Sequence, residues 1–344
     1  KNWCSPNVYQ YPPLNFYAID VGAGLGLFVI TIVLERDHIV KTLKVAFGGS
    51  RPEEEKLEPM SYRSSWLILI ASYIMLMVFL MFTGFSPLVS FVLPLSGIIT
   101  WFVMSQLWGR VGFMVEPGAL GIGTFKMFAW PTAVGPPTPT STDLALAPTI
   151  LGEWVTHQSI TGWGGSLYTV LASYKMAELA NVNPKNVLKV VITTLFVSMF
   201  VTEMVQISVP GFYGGSRFSS PIFKSAGPEF WARNIWGKPT ALPLTEMAPH
   251  IVMGFAFMVI MKYLCTRFLW LPDPILALVA WDFVISLHGA WFACLAAWVI
   301  KSIVLRVGGS KLYEQWVVPL VGGFMLGDAL EVLLAAFMAY GLRT

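Results

Sequence analysis

The chain is poor in charge. Of its 344 residues only 12% are Asp, Glu, Lys or Arg, and the net charge is +3. A soluble domain carries about 25%, so a water-soluble protein of this size could not cover its surface. So small a net charge argues against nucleic acid as a partner. Three cysteines, Cys4, Cys265 and Cys294, lie far apart without C-x-x-C spacing, which excludes a disulfide scaffold and a thiolate metal centre. The four histidines, His38, His157, His250 and His288, stand alone, with no spacing for a metal or a haem. There is no H-E-x-x-H, P-loop or G-x-S-x-G, so an enzyme is not expected, nor any cofactor or metal.

What is abundant is apolar. Hydrophobic residues make up 56% of the chain and aromatic residues 14%, with 14 Trp, and the mean hydropathy is +0.66. The apolar runs are continuous, unlike the alternating strands of an outer-membrane barrel. The fold class expected is an all-α polytopic membrane protein in a lipid bilayer. The chain starts at Lys1 with a polar, aromatic stretch unlike a signal peptide. A removed leader or a longer parent chain is expected.

About 20 apolar residues cross the hydrocarbon core as a helix. Spans are expected at 15–34, 64–83, 87–107, 187–209, 247–268, 287–305 and 316–340, with a broken or short one at 269–286 around Pro272, Asp273 and Pro274. That is about seven or eight transmembrane helices. The uncharged stretch 64–109 is too long for one crossing, and Gly84-Phe85-Ser86-Pro87 divides it into a hairpin. Region 111–164 is rich in Pro and Gly and nearly uncharged. Irregular backbone at membrane depth is tolerated only when buried or lining a cavity. Broken or re-entrant helices packed against 269–286 are therefore expected there, with Glu116 and Gly118 as candidate lining; an ordered cap outside the membrane is the alternative.

Basic residues in short loops set orientation. Arg36, Lys41, Lys44, Arg51, Lys56 and Arg63 share one loop, and Arg110, Lys185, Lys189, Lys262, Arg267, Lys301, Arg306 and Lys311 are expected on the same, cytoplasmic side. Loop 210–246 then lies outside. Residues 36–47 carry an apolar stripe, which suits a helix on the membrane surface or on the protein's own cytoplasmic face.

Two stretches resemble a known superfamily. One is Glu58-Pro59-Met60-Ser61-Tyr62-Arg63 ahead of the uncharged hairpin. The other runs from Trp298 through Lys301, Arg306, Gly308-Gly309, Lys311 and Tyr313 to Pro319, Gly322-Gly323 and Gly327-Asp328. Both resemble boxes of the oligopeptide-transporter superfamily, in its prokaryotic branch of unassigned substrate. The resemblance implies a multi-pass protein of a prokaryotic cytoplasmic membrane, with proton-coupled uptake of peptide-like or metal-chelate substrates. Members of that branch are about twice this length, so the chain resembles a C-terminal half. A separately encoded homologous half is then an expected partner. The competing expectation is a non-transporting structural subunit, a scaffold among other membrane subunits.

An ionisable group at the bilayer centre costs about 3 kcal/mol or more, so each invites a role. Asp328 and Glu331 are i and i+3 on the last span, and Asp282 and His288 flank the end of the broken one. These four are the candidate ion-coupling or cavity residues, expected to face the protein interior, with Lys301 and Arg306 as candidate charge partners. Asp20 stands near the start of the first span, ahead of Gly22, Gly24 and Gly26. The glycine spacing is not that of a dinucleotide loop, and close helix packing through Gly22 and Gly26 is expected instead.

Overall fold

A computed structural model describes residues 10–11, 14–50, 52–111, 118–129, 142–143, 164–214, 244–286 and 290–341. They form two compact units, Lys1–Asp282 and Phe283–Thr344. The structure is helical apart from one short ladder, β1 (Gln10–Tyr11) against β2 (Leu14–Asn15). The chain is an all-α polytopic membrane protein.

In the first unit α1 (Phe16–Leu34) begins at Asn15, whose side chain accepts from the Ala18 amide at 3.1 Å. At Glu35 the chain bends by 66° into α2 (Arg36–Ala46). The rest of the unit comprises α3 (Tyr62–Phe82), α4 (Pro87–Val111), α5 (Gly118–Ala129), α6 (Gly164–Leu179), α7 (Pro184–Tyr213), α8 (Leu244–Arg267) and the start of α9 (Pro274–Ser286). The hairpin expected at 64–107 is α3 and α4. Its turn works because Gly84 takes φ +97°, a conformation that L side chains resist.

The motif Glu58–Arg63 is a helix start. Ser61 caps α3 by accepting from the Ser64 amide at 3.2 Å, and the buried Glu55 carboxylate accepts from the Tyr62 amide at 2.9 Å. Helix α2 lies on this entrance: Trp66 donates to Thr42 at 3.3 Å, Lys41 pairs with Glu54 at 2.6 Å, and the rings of His38 and Tyr62 meet edge to face. Helix α2 packs on α3 through Thr42, while Val40 and Phe47 of its apolar stripe stay exposed. Replacing Ser61 by Ala should cost about 1 kcal/mol, the usual loss of an N-cap, read as a lower apparent melting temperature in detergent. An unchanged melting temperature would contradict the capping role.

The position of α5 follows from its ends. The chain leaves α4 at Arg110, yet Asp143 accepts from the Ser86 amide at 2.9 Å and Thr142 approaches Gly84. Ser86 and Arg110 are separated by most of α4, about 36 Å at 1.5 Å per residue. Between residues 111 and 142 the chain therefore passes from one end of α4 to the other, and α5 is the described part of that passage. It packs on α1 and α4, not chiefly on 269–286 as expected. α6 also packs on α4, and Lys185 beyond it lines a groove with Glu55, Lys56 and Glu58, back at the charged end.

That charged end gathers the last turn of α4, the last turns of α8 and the α2–α3 loop. Much of α4 is buried, while α3 and α7 leave most apolar side chains exposed, Phe79 and Phe200 among them. Apolar faces of this extent suit lipid.

The second unit holds α10 (Ala290–Leu312), a π-turn (Tyr313–Val317) and α11 (Val318–Gly341). Lys301 sits 5.1 Å from the Tyr313 ring centre. A straight helix would separate these residues by about 18 Å, so the chain turns at Gly309, where φ is +68°. Among the described residues five helices are long and apolar enough to cross a membrane, or six with α1 and α2 as one bent span. The longest, Phe292–Ala335, has 44 residues. At about 66 Å it would exceed twice the hydrocarbon core, so it comprises two arms, as the separate spans at 287–305 and 316–340 anticipate. α9, with 13 residues, falls where a broken or short span was expected and is not among the helices long enough to cross.

Candidate functional site

Helix α1 is the packing centre of the first unit because its glycines remove side chains from two faces. A Cβ at Gly22 would collide with the Ile251 carbonyl, and one at Gly254 with the Ile19 carbonyl. At Gly26 it would stand 2.8 Å from the Phe255 carbonyl. α1 and α8 therefore meet backbone to backbone, and the packing expected at Gly22 and Gly26 is observed. The other face takes α5: a Cβ at Gly24 would lie 2.7 Å from Leu120, and one at Gly123 would strike Val21.

Asp20 is enclosed in this packing. It is 5% exposed, and its Oδ1 has no hydrogen-bond partner. Two hydroxyls share that condition, Thr124 Oγ1 on α5 and Ser90 Oγ on α4, both in residues 0% exposed. Asp20 and Thr124 adjoin in sequence the contacting pair Val21 and Gly123. Phe125 and Val89, the neighbours of Thr124 and Ser90, belong to one apolar cluster. Both hydroxyls thus sit on helices that pack against α1. Pro94 sharpens the contrast. Having no N–H, it cannot donate to the carbonyl four residues back, that of Ser90. Further along α4 the hydroxyls are satisfied: Ser96 donates to the Leu93 carbonyl and Thr100 to that of Ser96, each at 2.8 Å. An unmade hydrogen bond on a buried group costs about 1–3 kcal/mol, and α1 with the two helices packed on it holds three such atoms.

A second polar cluster closes the charged end. Asp273 receives Lys262 Nζ at 2.9 and 3.1 Å and Arg110 at 3.1 Å, and caps α9 by accepting from the Ile275 amide at 3.1 Å. It thereby ties α4, α8 and α9 together. Burial pushes its carboxyl up, but the hydrogen bonds from Lys262 and Ile275 and the charges of Lys262 and Arg110 prevail and hold it below the ordinary value of 3.8.

The anticipated site residues are not gathered here. Asp328 and Glu331 are exposed on α11, and no ion pair among the described residues joins them to Lys301 or Arg306. Lys301 engages Tyr313 instead. Asp282 falls on α9, with its side chain outside the described residues; His288, Glu116 and most of loop 210–246 also lie outside them. Gly118 opens α5. Around Gly323 and Gly327, nothing among the described residues lies within 4 Å of where a Cβ would stand. Asp20 was not among the anticipated site residues. Its signal was present: it is the acid of the first span, two residues ahead of the glycines that bring neighbouring helices closest.

The fold defines a multi-pass α-helical membrane protein with a buried acid in its helical core, one carboxylate oxygen of which has no hydrogen-bond partner. The chain belongs to a family of unknown function (DUF6785), which it matches over residues 5–343. No curated protein and no solved structure matches it.

Proposed function

We propose that the protein is a transporter of the kind its two boxes resemble, taking up peptide-like or metal-chelate substrates with protons across the cytoplasmic membrane of a prokaryote. The observation that carries this reading is the Asp20 junction. A membrane helix core gains nothing in stability from a buried carboxylate with an orphaned oxygen, whereas an ion-coupled carrier needs such a group. Short helices flanked by glycine and proline, as α5 and α9 are, suit the discontinuous elements around which carriers bind.

The test is uptake in proteoliposomes. With the purified full chain and a pH gradient acid outside, labelled peptides or a ferric chelate should accumulate, and collapse of the gradient should stop them. The unpacked faces of α3 and α7 favour one competitor, a scaffold subunit. No uptake of either substrate class, together with copurification of other subunits in fixed ratio, would install that reading.

A further inference from the structure

We infer that Asp20 is a proton-binding site loaded from the end of the membrane opposite the charged face and, resting on the transport reading above, that its proton is the one that drives uptake.

Three observations converge. The first is depth. Asp20 lies five residues past the cap at Asn15, about 7 Å along α1, at the end away from α2 and from the Arg110–Asp273–Lys262 cluster. It is thus close to the outer water but shielded from it. The second is the absence of compensation. No basic side chain among the described residues pairs with it, and Oδ1 is orphaned. A buried carboxylate without a basic partner is neutralised most simply by a proton. The third is the setting. α1 can sit so close to α8 and α5 only because Gly22, Gly24, Gly26, Gly123 and Gly254 lack side chains. A charged, hydrated Asp20 would need water that this spacing excludes, so deprotonation favours looser packing of α5 and α8 around α1. Protonation state and helix separation are coupled through one residue.

Other titratable groups on the elements packed against α1 at this end are few. α4 offers none between Pro87 and Gly109. α8 carries Glu246 and the half-buried His250, which is joined to no described residue by a hydrogen bond or ion pair. α5 carries Lys126, β1 carries Tyr11, and α1 itself carries Tyr17; those side chains and that of Glu246 lie outside the described residues. The step is simple: a proton from the outer water adds to the Asp20 carboxylate and is later released from the resulting acid to the other side.

Infrared difference spectroscopy of the full chain in nanodiscs tests the site without a substrate. A protonated-carboxyl band should be present at neutral pH, vanish on alkalinisation, shift on labelling with 13C-aspartate and be missing in Asp20→Asn. The label makes the assignment to aspartate even where the variant does not fold. No aspartate band at neutral pH would overturn the proposal. So would a melting temperature raised by sodium over potassium in the wild type but not in Asp20→Asn, which would mark a metal-cation site. In proteoliposomes, gradient-driven uptake should fall at least tenfold in Asp20→Asn. Uptake that survives in Asp20→Asn but is lost in Asp328→Asn or Glu331→Gln would sink the Asp20 assignment and leave transport standing. A band that is lost in folded Asp20→Asn, without any uptake, would confirm the proton site and remove the transport reading alone; a band that persists in that variant would overturn the assignment to Asp20.

Discussion

Replacing Gly22 with Ala should cripple assembly of the first unit. The new methyl group would occupy the space of the Ile251 carbonyl, and backbone cannot step aside as a side chain can. Overpacking usually costs about 1–3 kcal/mol. Here the higher figure is expected, because α1 and α8 must separate along the contact that also involves Gly26 and Gly254. Yield of monodisperse protein on size exclusion should collapse, and Gly254→Ala should behave alike. Gly323→Ala supplies the contrast: nothing among the described residues lies within 4 Å of its Cβ position, and Ala is the better helix former by about 1 kcal/mol. Equal yields for Gly22→Ala and Gly323→Ala would refute the backbone-to-backbone packing of α1.

The second large effect is expected at Asp273. Changing it to Asn leaves Lys262, 16% exposed, without its carboxylate and weakens the tie to Arg110. Hydrogen bonds to charged groups contribute about 1.5–3 kcal/mol, and α9 also loses part of its cap. The apparent melting temperature should drop by roughly 5–10 °C, at about 2–4 °C per kcal/mol for a chain of this size. The sign of the pH dependence follows from the depressed folded-state value. The stabilisation is complete above the ordinary carboxylate value of 3.8 and is lost as pH falls through the lower folded-state value. Wild type should therefore lose its advantage over Asp273→Asn in acid and keep it at pH 7. A gap between the two that is independent of pH would point to packing, not charge.

Most of the fold was legible because it rests on patterns the sequence states outright. Uncharged runs of about 20 residues can only be spans, and Gly84-Phe85-Ser86-Pro87 can only be a turn within them. The glycines of the first span were read as packing residues without knowledge of their partners. Tertiary placement was not legible. Nothing in 118–129 says that its partners are α1 and α4, since its glycines and apolar residues would suit any helix. The burial of Asp20 is illegible for the same reason. In sequence this residue is one acid near a span's end, and Glu203 on α7 is another; Asp20 is enclosed by α5 and α8, whereas Glu203 is exposed. Asp328 and Glu331 drew notice through their i, i+3 spacing, yet spacing says nothing about what stands opposite.

The tether between Asp143 and Ser86 has a consequence for biogenesis. A 12-residue helix is too short to partition into a bilayer by itself, which takes about 20 residues. α5 can enter only when protein already offers it a surface. The α3–α4 hairpin and α1 must then be inserted and paired before residues 118–129 take their place, and the Asp143 carboxylate must travel the length of α4 to reach its amide. Translation order allows this, because α1, α3 and α4 all leave the ribosome first. A nascent chain of which about 130 residues have emerged from the ribosome would hold the α1–α3–α4 cradle with α5 still unlatched.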